Sequence, residues 1–270
     1  MDKRIPLGQP TTYEFEYNPS LLFAVPRQQA RAEIGIDESN PLPFYGVDLW
    51  TAYELSWLNP KGLPQVAIAE IRFACEAPNI VESKSLKLYL NSLNHTVFAD
   101  QDSVIEVLEK DLSVCSQAPA TVQLFLADDY PVKKPEGFVC LDGLALECTD
   151  YLPNASLLSV SDEVSEQAYC THLFRSLCPV TGQPDWASIY IACQGKTLDQ
   201  VSLLRYLVSF RQHQGFHEQC AEMIYQDIQA ISQAQSLTVN ARFLRRGGLD
   251  INPVRSSEKG AKWIGRQARQ

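Results

Sequence analysis

A thiol and a carboxylate, Cys178 and Asp185, lie seven positions apart in a stretch that also contains two prolines and a glycine. Proline lacks an amide N–H and glycine favours a turn, so this composition predicts a folded-back loop leading into a strand near Trp186. Such a loop can bring the two side chains together, as a nucleophile beside a proton donor requires. The alternative is a buried cysteine within a turn, which is the commoner fate of a single cysteine.

The same turn occurs earlier in the chain without the two reactive residues. Residues 62–67 (Gly-Leu-Pro-Gln-Val-Ala) match residues 182–187 (Gly-Gln-Pro-Asp-Trp-Ala) at a shift of 120 positions. At that shift the thiol and the acid of the second copy correspond to Leu58 and Gln65. Because both copies keep the glycine and proline that shape the turn, the difference between them favours chemistry in the second copy.

Two segments that precede predicted helices carry polar side chains. Residues 82–85 (Glu-Ser-Lys-Ser) have the composition of a helix cap, which is the interpretation that the residues alone favour, and a phosphate-binding face is the alternative. Residues 216–218 (Phe-His-Glu) could grip a flat heterocycle by stacking, accepting N–H donors and relaying a proton. They could equally form an ordinary first helical turn.

A basic turn at residues 245–248 (Arg-Arg-Gly-Gly) lies between two predicted strands. Cationic side chains beside a flexible backbone suit a phosphate group, although a solvated hairpin turn would look the same. The chain contains neither a G-x-G-x-x-G nor a P-loop pattern, so any nucleotide would bind outside those two schemes.

The composition limits the class of partner. The 270-residue chain has a net charge of −9, which disfavours a nucleic-acid groove because phosphate binding needs a positive field. No apolar run is long enough to cross a bilayer and no signal core follows the first residues, so we expect a cytoplasmic protein without a membrane partner.

The eight cysteines are not spaced as C-x-x-C, and we expect reduced thiols. His213 and His217 come closest to a pair of metal ligands, but Gly215 between them argues against a rigid helical clamp. The sequence therefore predicts no metal site.

Both halves of the chain predict the same order of elements: strand, strand, helix, helix, strand, strand. In the first half the strands are 48–58, 65–75, 121–126 and 137–146, and the helices are 85–93 and 102–113. In the second half the strands are 166–177, 186–193, 237–244 and 249–254, with one helix capped by Thr197 and another at 216–231. The duplication predicts two α+β modules, 41–150 and 151–270, after an N-terminal arm at 1–40.

Together these segments resemble the NADPH-dependent 7-cyano-7-deazaguanine reductases, the nitrile reductases of queuosine biosynthesis, in their longer two-module form. The likeness covers most of the chain, from about residue 48 to 255, and its most specific parts are residues 82–89 (Glu-Ser-Lys-Ser-Leu-Lys-Leu-Tyr) and 178–185. The resemblance implies tandem tunnelling-fold (T-fold) modules, whose antiparallel sheets form a barrel with helices outside. It also implies a homodimer.

The resemblance further implies a reaction, in which the nitrile of 7-cyano-7-deazaguanine is reduced to an aminomethyl group for tRNA modification, with NADPH as cofactor. Hydride does not readily add to a nitrile, so a thiolate would attack first and form a covalent thioimide. Burial in the loop could raise the pKa of the acid that protonates the nitrile nitrogen.

The implied catalytic residues are Cys178, Asp185 and His217. The implied substrate-binding residues are Glu82, Ser83, Phe216, His217 and Glu218. The implied cofactor-binding residues are Lys84, Ser85, Arg246 and Gly247.

Two other functions remain open from the residues. A cysteine-dependent hydrolase could act on a nitrile or an amide, although the usual His–Cys pairing and a second catalytic carboxylate or lysine are not evident. A purine- or pterin-binding module of the same fold could lack turnover altogether. The difference between the two copies of the turn speaks against this last function.

Overall fold

The computed structural model describes residues 14–37, 39–132, 135–262 and 264–270. The chain forms two compact units, each assembled from separate segments. The first unit contains Asp48–Pro131, Arg245–Ile251 and the described residues up to Gln29, and the second contains Ala30–Val47, Val132–Leu244 and Asn252–Gln270. The module boundary at residue 150 stays a prediction. Among the described residues, no helix has the length and apolar character needed to cross a membrane.

The described residues form ten strands and five α-helices. The strands are β1 (Ala24–Pro26), β2 (Tyr45–Leu58), β3 (Pro64–Ala74), β4 (Asn79–Val81), β5 (Ala120–Phe125), β6 (Val139–Cys140), β7 (Val160–Leu177), β8 (Pro184–Leu198), β9 (Ser236–Phe243) and β10 (Leu249–Ser256). The helices are α1 (Arg27–Glu33), α2 (Ser83–Ser92), α3 (Gln101–Ser116), α4 (Gln200–Ser209) and α5 (His217–Ser232).

In the first unit the sheet order is β5-β3-β2, and β1 pairs with β4 in a separate ribbon. In the second unit the order is β10-β9-β8-β7-β6. Only the β6–β7 pair has a parallel register among the strand pairs described, so the sheets are mainly antiparallel. The α+β class is therefore confirmed. The described strands do not close into a ring, so a closed barrel is not seen among the described residues.

The hairpin of β7 and β8 is the longest feature of the second unit. Its pairing runs from Val160↔Leu198 to Leu177↔Pro184, with irregularities between Val160 and Val164 and between Thr171 and Phe174. The central part of β8, residues 187–191, is buried on both faces of the strand. The hairpin thus ends at residues 178–183, and a packed core supports its tip.

The order of elements expected for the second half is confirmed, as β7, β8, α4, α5, β9 and β10 follow one another. Two details were wrong. The helix predicted to start from Thr197 begins at Gln200, because β8 continues to Leu198 and the Asp199 carboxylate accepts a hydrogen bond from the Ser202 amide. The strand predicted at 137–146 is reduced to β6, which pairs with β7 in the second unit.

The duplication extends into the predicted N-terminal arm. Asn18 caps a 3-10 turn by accepting a 3.0 Å hydrogen bond from the Ser20 amide, and Asn154 caps a second such turn by accepting one of the same length from Ser156. These matching caps precede β1 and β7. Part of the arm therefore belongs to the first copy of the repeat.

Two arginines of the predicted arm are buried. Arg27 forms an ion pair with Asp48 within the first unit, and Arg31 forms one with Glu222 within the second unit. Both contacts are hydrogen-bonded and shielded from water, which makes the loss of one partner costly. The described part of the arm is thus integrated into the fold, and residues 1–13 lie outside the described residues.

Candidate active site

The loop at residues 178–183 folds back as the sequence predicts. The Cys178 amide donates to the Gln183 carbonyl at 2.8 Å, and the Gly182 amide donates to the Cys178 carbonyl at 2.9 Å. Gly182 has a φ of +67°, a conformation that glycine adopts readily. The thiol therefore stands at the first residue of the loop, with its residue only 6% exposed.

Asp185 lies on the same face of the hairpin as the thiol. It pairs with Ser176 across β7 and β8, and the next pair on that face is Cys178 with Gln183. Cys178 and Asp185 are thus diagonal neighbours, a relation with a typical separation of roughly 7–8 Å between Cα atoms. Asp185 is 5% exposed, so its carboxyl group is buried beside the loop.

His217 lies next to this acid. Its Nε2 atom is 3.4 Å from Oδ2 of Asp185, and its ring stacks on Phe243 with 3.7 Å between centroids and 2° between planes. Its Nδ1 atom is buried and has no hydrogen-bond partner among the residues described. The imidazole is therefore fixed in orientation and offers one ring nitrogen to a ligand.

Backbone hydrogen bonds hold the start of α5 against the hairpin. The Leu177 amide donates to the His213 carbonyl at 2.7 Å, and the Gly215 amide donates back to the Leu177 carbonyl at 3.2 Å. A Cβ atom at Gly215 would lie 2.5 Å from Nε2 of His213 and 2.7 Å from Oε1 of Gln219. A larger residue here would displace the ends of these two side chains, and the glycine brings residues 216–218 to the side of the thiol loop.

The first turn of α5 adds a second buried acid. Glu218 is 2% exposed, while Phe216 is half-buried at the N-cap position and makes no side-chain cap. Burial raises the pKa of the neighbouring Cys220 thiol to about 12, and the carboxyl groups of Asp185 and Glu218 act in the same direction. Cys220 is therefore held as a neutral thiol, unlike a cysteine that must ionise to react.

The last residue of the chain supports the stacking partner of His217. The Gln270 side-chain amide donates to the Phe243 carbonyl at 2.8 Å and to Oδ1 of Asn252 at 2.7 Å, and its oxygen accepts from Nε of Arg242 at 3.1 Å. No local pattern of residues pointed to Phe243 or Gln270, because a single phenylalanine within a predicted strand and an isolated glutamine are both common.

Glu82 caps α2, so the capping interpretation is confirmed. Its two carboxylate oxygens accept hydrogen bonds from the Lys84 amide at 2.9 Å and the Ser85 amide at 2.8 Å. The hydroxyl of Ser83 lies 3.4 Å from the same carboxylate. Glu82 is only 2% exposed, which is unusual because a surface cap needs no burial.

Ser85 is occupied inside the protein. Its hydroxyl donates to the Glu82 carbonyl at 2.7 Å and accepts from the Phe23 amide at 3.0 Å, and its side chain is fully buried. Ser202 has the same pair of contacts in the second unit, to Asp199 and Ser159. The matching pair identifies this serine as a structural link in both copies.

The basic turn at 245–248 is compact. The Arg246 amide donates to the Leu249 carbonyl at 2.8 Å, and Gly247 has a φ of +58°. A Cβ atom at Gly247 would lie 3.2 Å from Nζ of Lys87, which extends from α2. The Arg245 guanidinium lies over the Tyr53 ring at 4.8 Å. Bare backbone beside several cations is the arrangement that phosphate groups favour.

The structure thus gathers the candidate residues into two local groups. The second unit contains Cys178, Asp185, Phe216, His217 and Glu218. The first unit contains Glu82, Ser83, Lys84, Ser85, Arg246 and Gly247. The group in the second unit has the composition of a catalytic centre. The group in the first unit has the composition of an anion-binding surface.

Two family profiles match the chain. A profile described as nitrile reductase, 7-cyano-7-deazaguanine-reductase N-term matches residues 13–124, and one described as QueF-like protein matches residues 184–262. The Glu82 segment falls within the first match, whereas Asp185 and residues 216–218 fall within the second. Cys178 lies between the two matched ranges.

Curated relatives match nearly the whole chain, and three of them are named NADPH-dependent 7-cyano-7-deazaguanine reductase. The protein of Colwellia psychrerythraea is 51% identical, covering 94% of this chain and 92% of that protein. The proteins of Cupriavidus metallidurans and Hydrogenovibrio crunogenus are each 49% identical, covering 93% of this chain and 92% and 91% of those proteins. A solved archaeosine synthase QueF-Like in the apo form is 15% identical and covers 36% of this chain and 97% of that chain, with a TM-score of only 0.31.

Proposed function

This chain belongs to the family of NADPH-dependent 7-cyano-7-deazaguanine reductases, and we propose that it reduces the nitrile of that base through a covalent bond to Cys178. It is an oxidoreductase of queuosine biosynthesis that uses NADPH. The observation that carries the assignment of the centre is the hairpin tip, where a buried thiol shares one face with Asp185 and His217 lies 3.4 Å from that acid.

Cys178 acts as the nucleophile. Its thiolate sulfur bonds to the nitrile carbon while one π bond of the C≡N group breaks and the nitrile nitrogen gains a proton, and the product is a covalent thioimide. Asp185 supplies that proton from its buried position, with His217 beside it as a second proton carrier. The buried setting of the loop excludes water, which would otherwise hydrolyse the thioimide.

The base is held by the first turn of α5. Glu218 accepts N–H donors from the guanine-like edge, because a buried carboxylate is an acceptor on both oxygens. Phe216 covers the ring, and Nδ1 of His217 gives a further polar contact. Glu82 and Ser83 form a second acceptor group, which would explain why a capping carboxylate is 2% exposed.

The anion-binding surface fits the phosphates of NADPH. A glycine backbone at Gly247 with Arg246 and Lys87 beside it leaves room for a phosphate where any side chain would crowd the lysine. Lys84, Arg246 and Gly247 would hold the cofactor directly, and Ser85 would act by fixing the start of α2, since its hydroxyl is used internally. When bound, NADPH supplies the two hydride equivalents that convert a nitrile into an amine.

The reductase and its alternatives differ in stoichiometry. We expect the protein to oxidise two equivalents of NADPH for each aminomethyl product formed from 7-cyano-7-deazaguanine, measured by absorbance and by product mass. A hydrolase would release an amide or acid without oxidising NADPH, and a binding module would leave both compounds unchanged. Neither alternative is supported by the relatives, which are reductases at about 50% identity over most of the chain.

The covalent step has its own test. Intact mass spectrometry of the wild type with the nitrile in the absence of NADPH should show an increase equal to the mass of the base. Cys178→Ala should bind the base, measured by calorimetry, and show no increase. An adduct on that variant would show that Cys178 is not the nucleophile. The assignment of the protein as a reductase would not be affected by that result.

We further propose that the two units are tandem tunnelling-fold modules whose sheets complete a barrel in a cytoplasmic homodimer. The strands β5 and β6 each pair with one described strand, which leaves edges that an assembly could cover. Light scattering coupled to size-exclusion chromatography should give twice the 30.3 kDa mass of the chain. A monomer at micromolar concentration would contradict the dimer.

A further inference from the structure

Two cysteines and a histidine meet in the second unit at a place that the proposed reaction does not use. Cys140, Cys170 and His172 each offer one ligand atom, and these atoms all lie within 4.8 Å of one another. No other such group of three or more His, Cys, Asp or Glu side chains occurs among residues 14–37, 39–132, 135–262 and 264–270.

The strand geometry explains why these three side chains share one face. Cys140 is the register partner of Cys170 in the parallel β6–β7 pair, and the Leu141 amide donates to the Cys170 carbonyl at 2.8 Å. His172 follows Cys170 by two positions, the spacing at which side chains of a strand share a face, and lies in the irregular part of β7 between Thr171 and Phe174. The β6–β7 pairing therefore places the two thiols together, and the imidazole reaches them within 4.8 Å.

The spacing suits a tetrahedral cation. Bonds of about 2.3 Å to sulfur and 2.0–2.1 Å to nitrogen put the ligand atoms of a tetrahedral zinc roughly 3.5–3.8 Å apart. The 4.8 Å limit found without an ion leaves each side chain less than about 1 Å to move. Two thiolates and an imidazole are also ligands that zinc-class cations prefer.

The residues around these three side chains favour a bound cation. Asp142 accepts from the Thr171 hydroxyl at 2.6 Å and from the His172 amide at 3.1 Å, which holds its carboxylate beside the cysteines. The carboxylate therefore lies close to a bound cation, whereas the Arg269 guanidinium donates to the His172 carbonyl at 2.7 Å and so contacts the backbone of β7.

A supporting contact holds the imidazole. Nδ1 of His172 lies 2.7 Å from the Ser188 hydroxyl on β8, which fixes the ring as second-layer partners of metal-bound histidines do. We propose that Cys140, Cys170 and His172 bind one zinc-class divalent cation, with water in the fourth position. Binding forms two metal–sulfur bonds and one metal–nitrogen bond and releases the two thiol protons to solvent.

The bound cation would stabilise the short strand β6 and the residues next to it. β6 is two residues long, and the described residues between β5 and β7 otherwise form only short turns. A strand that short gains little from its own hydrogen bonds, so a cation joining it to β7 would hold residues 139–142 in place. The expected role is structural, because the group includes neither Cys178 nor Asp185.

Cobalt provides the test, because a thiolate–cobalt(II) bond gives an intense charge-transfer absorption. We expect the reduced full-length protein to bind one Co²⁺ per chain with that absorption and to lose it when Zn²⁺ is added. Cys140→Ser should weaken binding by at least about 100-fold. Cys148→Ser, a cysteine outside the group, and Cys178→Ala should leave the titration unchanged.

Thermal stability provides a second test that does not depend on cobalt. Zn²⁺ should raise the melting temperature of the wild type and of Cys148→Ser, and it should not raise that of Cys140→Ser. Cys140 is exposed, so its replacement by serine should leave the fold intact, as circular dichroism can check. The proposal fails if the wild type shows no thiolate–cobalt absorption, if Cys140→Ser retains it, or if the two cysteines resist reduction as a disulfide.

Discussion

The hairpin loops at residues 59–63 and 178–183 are closed by the same two backbone hydrogen bonds, yet their first residues differ. In the first unit the Asn59 amide donates to the Leu63 carbonyl at 3.0 Å and the Gly62 amide donates to the Asn59 carbonyl at 2.8 Å. Cys178 makes the equivalent pair in the second unit, at 2.8 and 2.9 Å. The Cys178 thiol therefore occupies the position of the Asn59 side chain. A reactive side chain in the second loop replaces one that stabilises the first loop.

This correspondence corrects the one drawn from the sequence. A constant shift of 120 aligns Cys178 with Leu58, whereas the hydrogen bonds align Leu177 with Leu58. The Leu58 amide donates to the Thr96 carbonyl as the Leu177 amide donates to His213. The second loop is one residue longer, and an alignment with a constant shift does not allow for this insertion. The thiol thus lies inside the loop and does not end the strand.

The difference has a local energetic meaning. Oδ1 of Asn59 accepts hydrogen bonds from the Lys61 amide at 2.9 Å and the Leu63 amide at 3.0 Å, which stabilises the first loop. A thiol is a weak acceptor and cannot replace these bonds. The second copy gives up local stabilisation where the reaction needs a nucleophile, as functional sites often do.

The starts of the two 16-residue helices differ in the same way. Asp100 caps α3 by accepting from the Ser103 amide at 2.8 Å, whereas Phe216 at the same position of α5 makes no side-chain cap. Both helices end at a glutamine with positive φ, Gln117 and Gln233, so the two positions are equivalent. An aromatic ring in place of a cap is consistent with a surface that must cover a flat base.

The largest effect should come from making the second loop resemble the first. Cys178→Asn should lower kcat/KM by on the order of 10⁴-fold, because no other group can bond to the nitrile carbon. The free energy of unfolding should stay the same or rise, since asparagine can accept loop amides. Steady-state kinetics and urea unfolding measure the two quantities, and appreciable turnover by this variant would contradict the assignment.

A smaller loss should follow from removing the proton donor. Asp185→Asn should lower kcat by about 10²- to 10⁴-fold and slow formation of the covalent adduct, because the amide keeps the shape of the side chain and cannot supply the proton. Rapid-quench mass spectrometry separates adduct formation from turnover. Gln65→Asn, at the position aligned with Asp185 in the first copy, is the matched control and should keep full activity.

The two helix-capping acids give a sharper comparison. Glu82→Ala and Asp199→Ala should each reduce the free energy of unfolding by about 1 kcal/mol, because each removes a cap. Only Glu82→Ala should also weaken binding of the base, which isothermal titration calorimetry can measure. Equal base affinity in both variants would leave Glu82 as a cap alone.

The smallest effect should be that of Asn59→Ala. The loss of two accepted hydrogen bonds should reduce the free energy of unfolding by about 1 kcal/mol and leave kcat/KM unchanged within a factor of about two. Asn59→Asp keeps an acceptor and should recover most of the stability. A marked loss of activity in Asn59→Ala would mean that the first loop also takes part in the reaction.

The α+β class, the tip of the β7–β8 hairpin and the family could all be predicted from the order of residues alone. These features depend on neighbours in the chain: proline and glycine set the turn around Cys178, and strands and helices follow from the local spacing of apolar residues. The capping role of Glu82 was predictable for the same reason, since it involves the amides of the next residues.

Contacts between residues far apart in the chain could not be predicted and became visible in the folded protein. The stacking of Phe243 on His217, the support of Phe243 by Gln270 and the one-residue insertion in the second loop all depend on packing between segments far apart in the chain. The group of Cys140, Cys170 and His172 is the clearest case, because a parallel pairing of β6 with β7 brings together thiols 30 positions apart. Strand pairing is set by the burial of whole faces, and no short-range pattern records which strands will become neighbours.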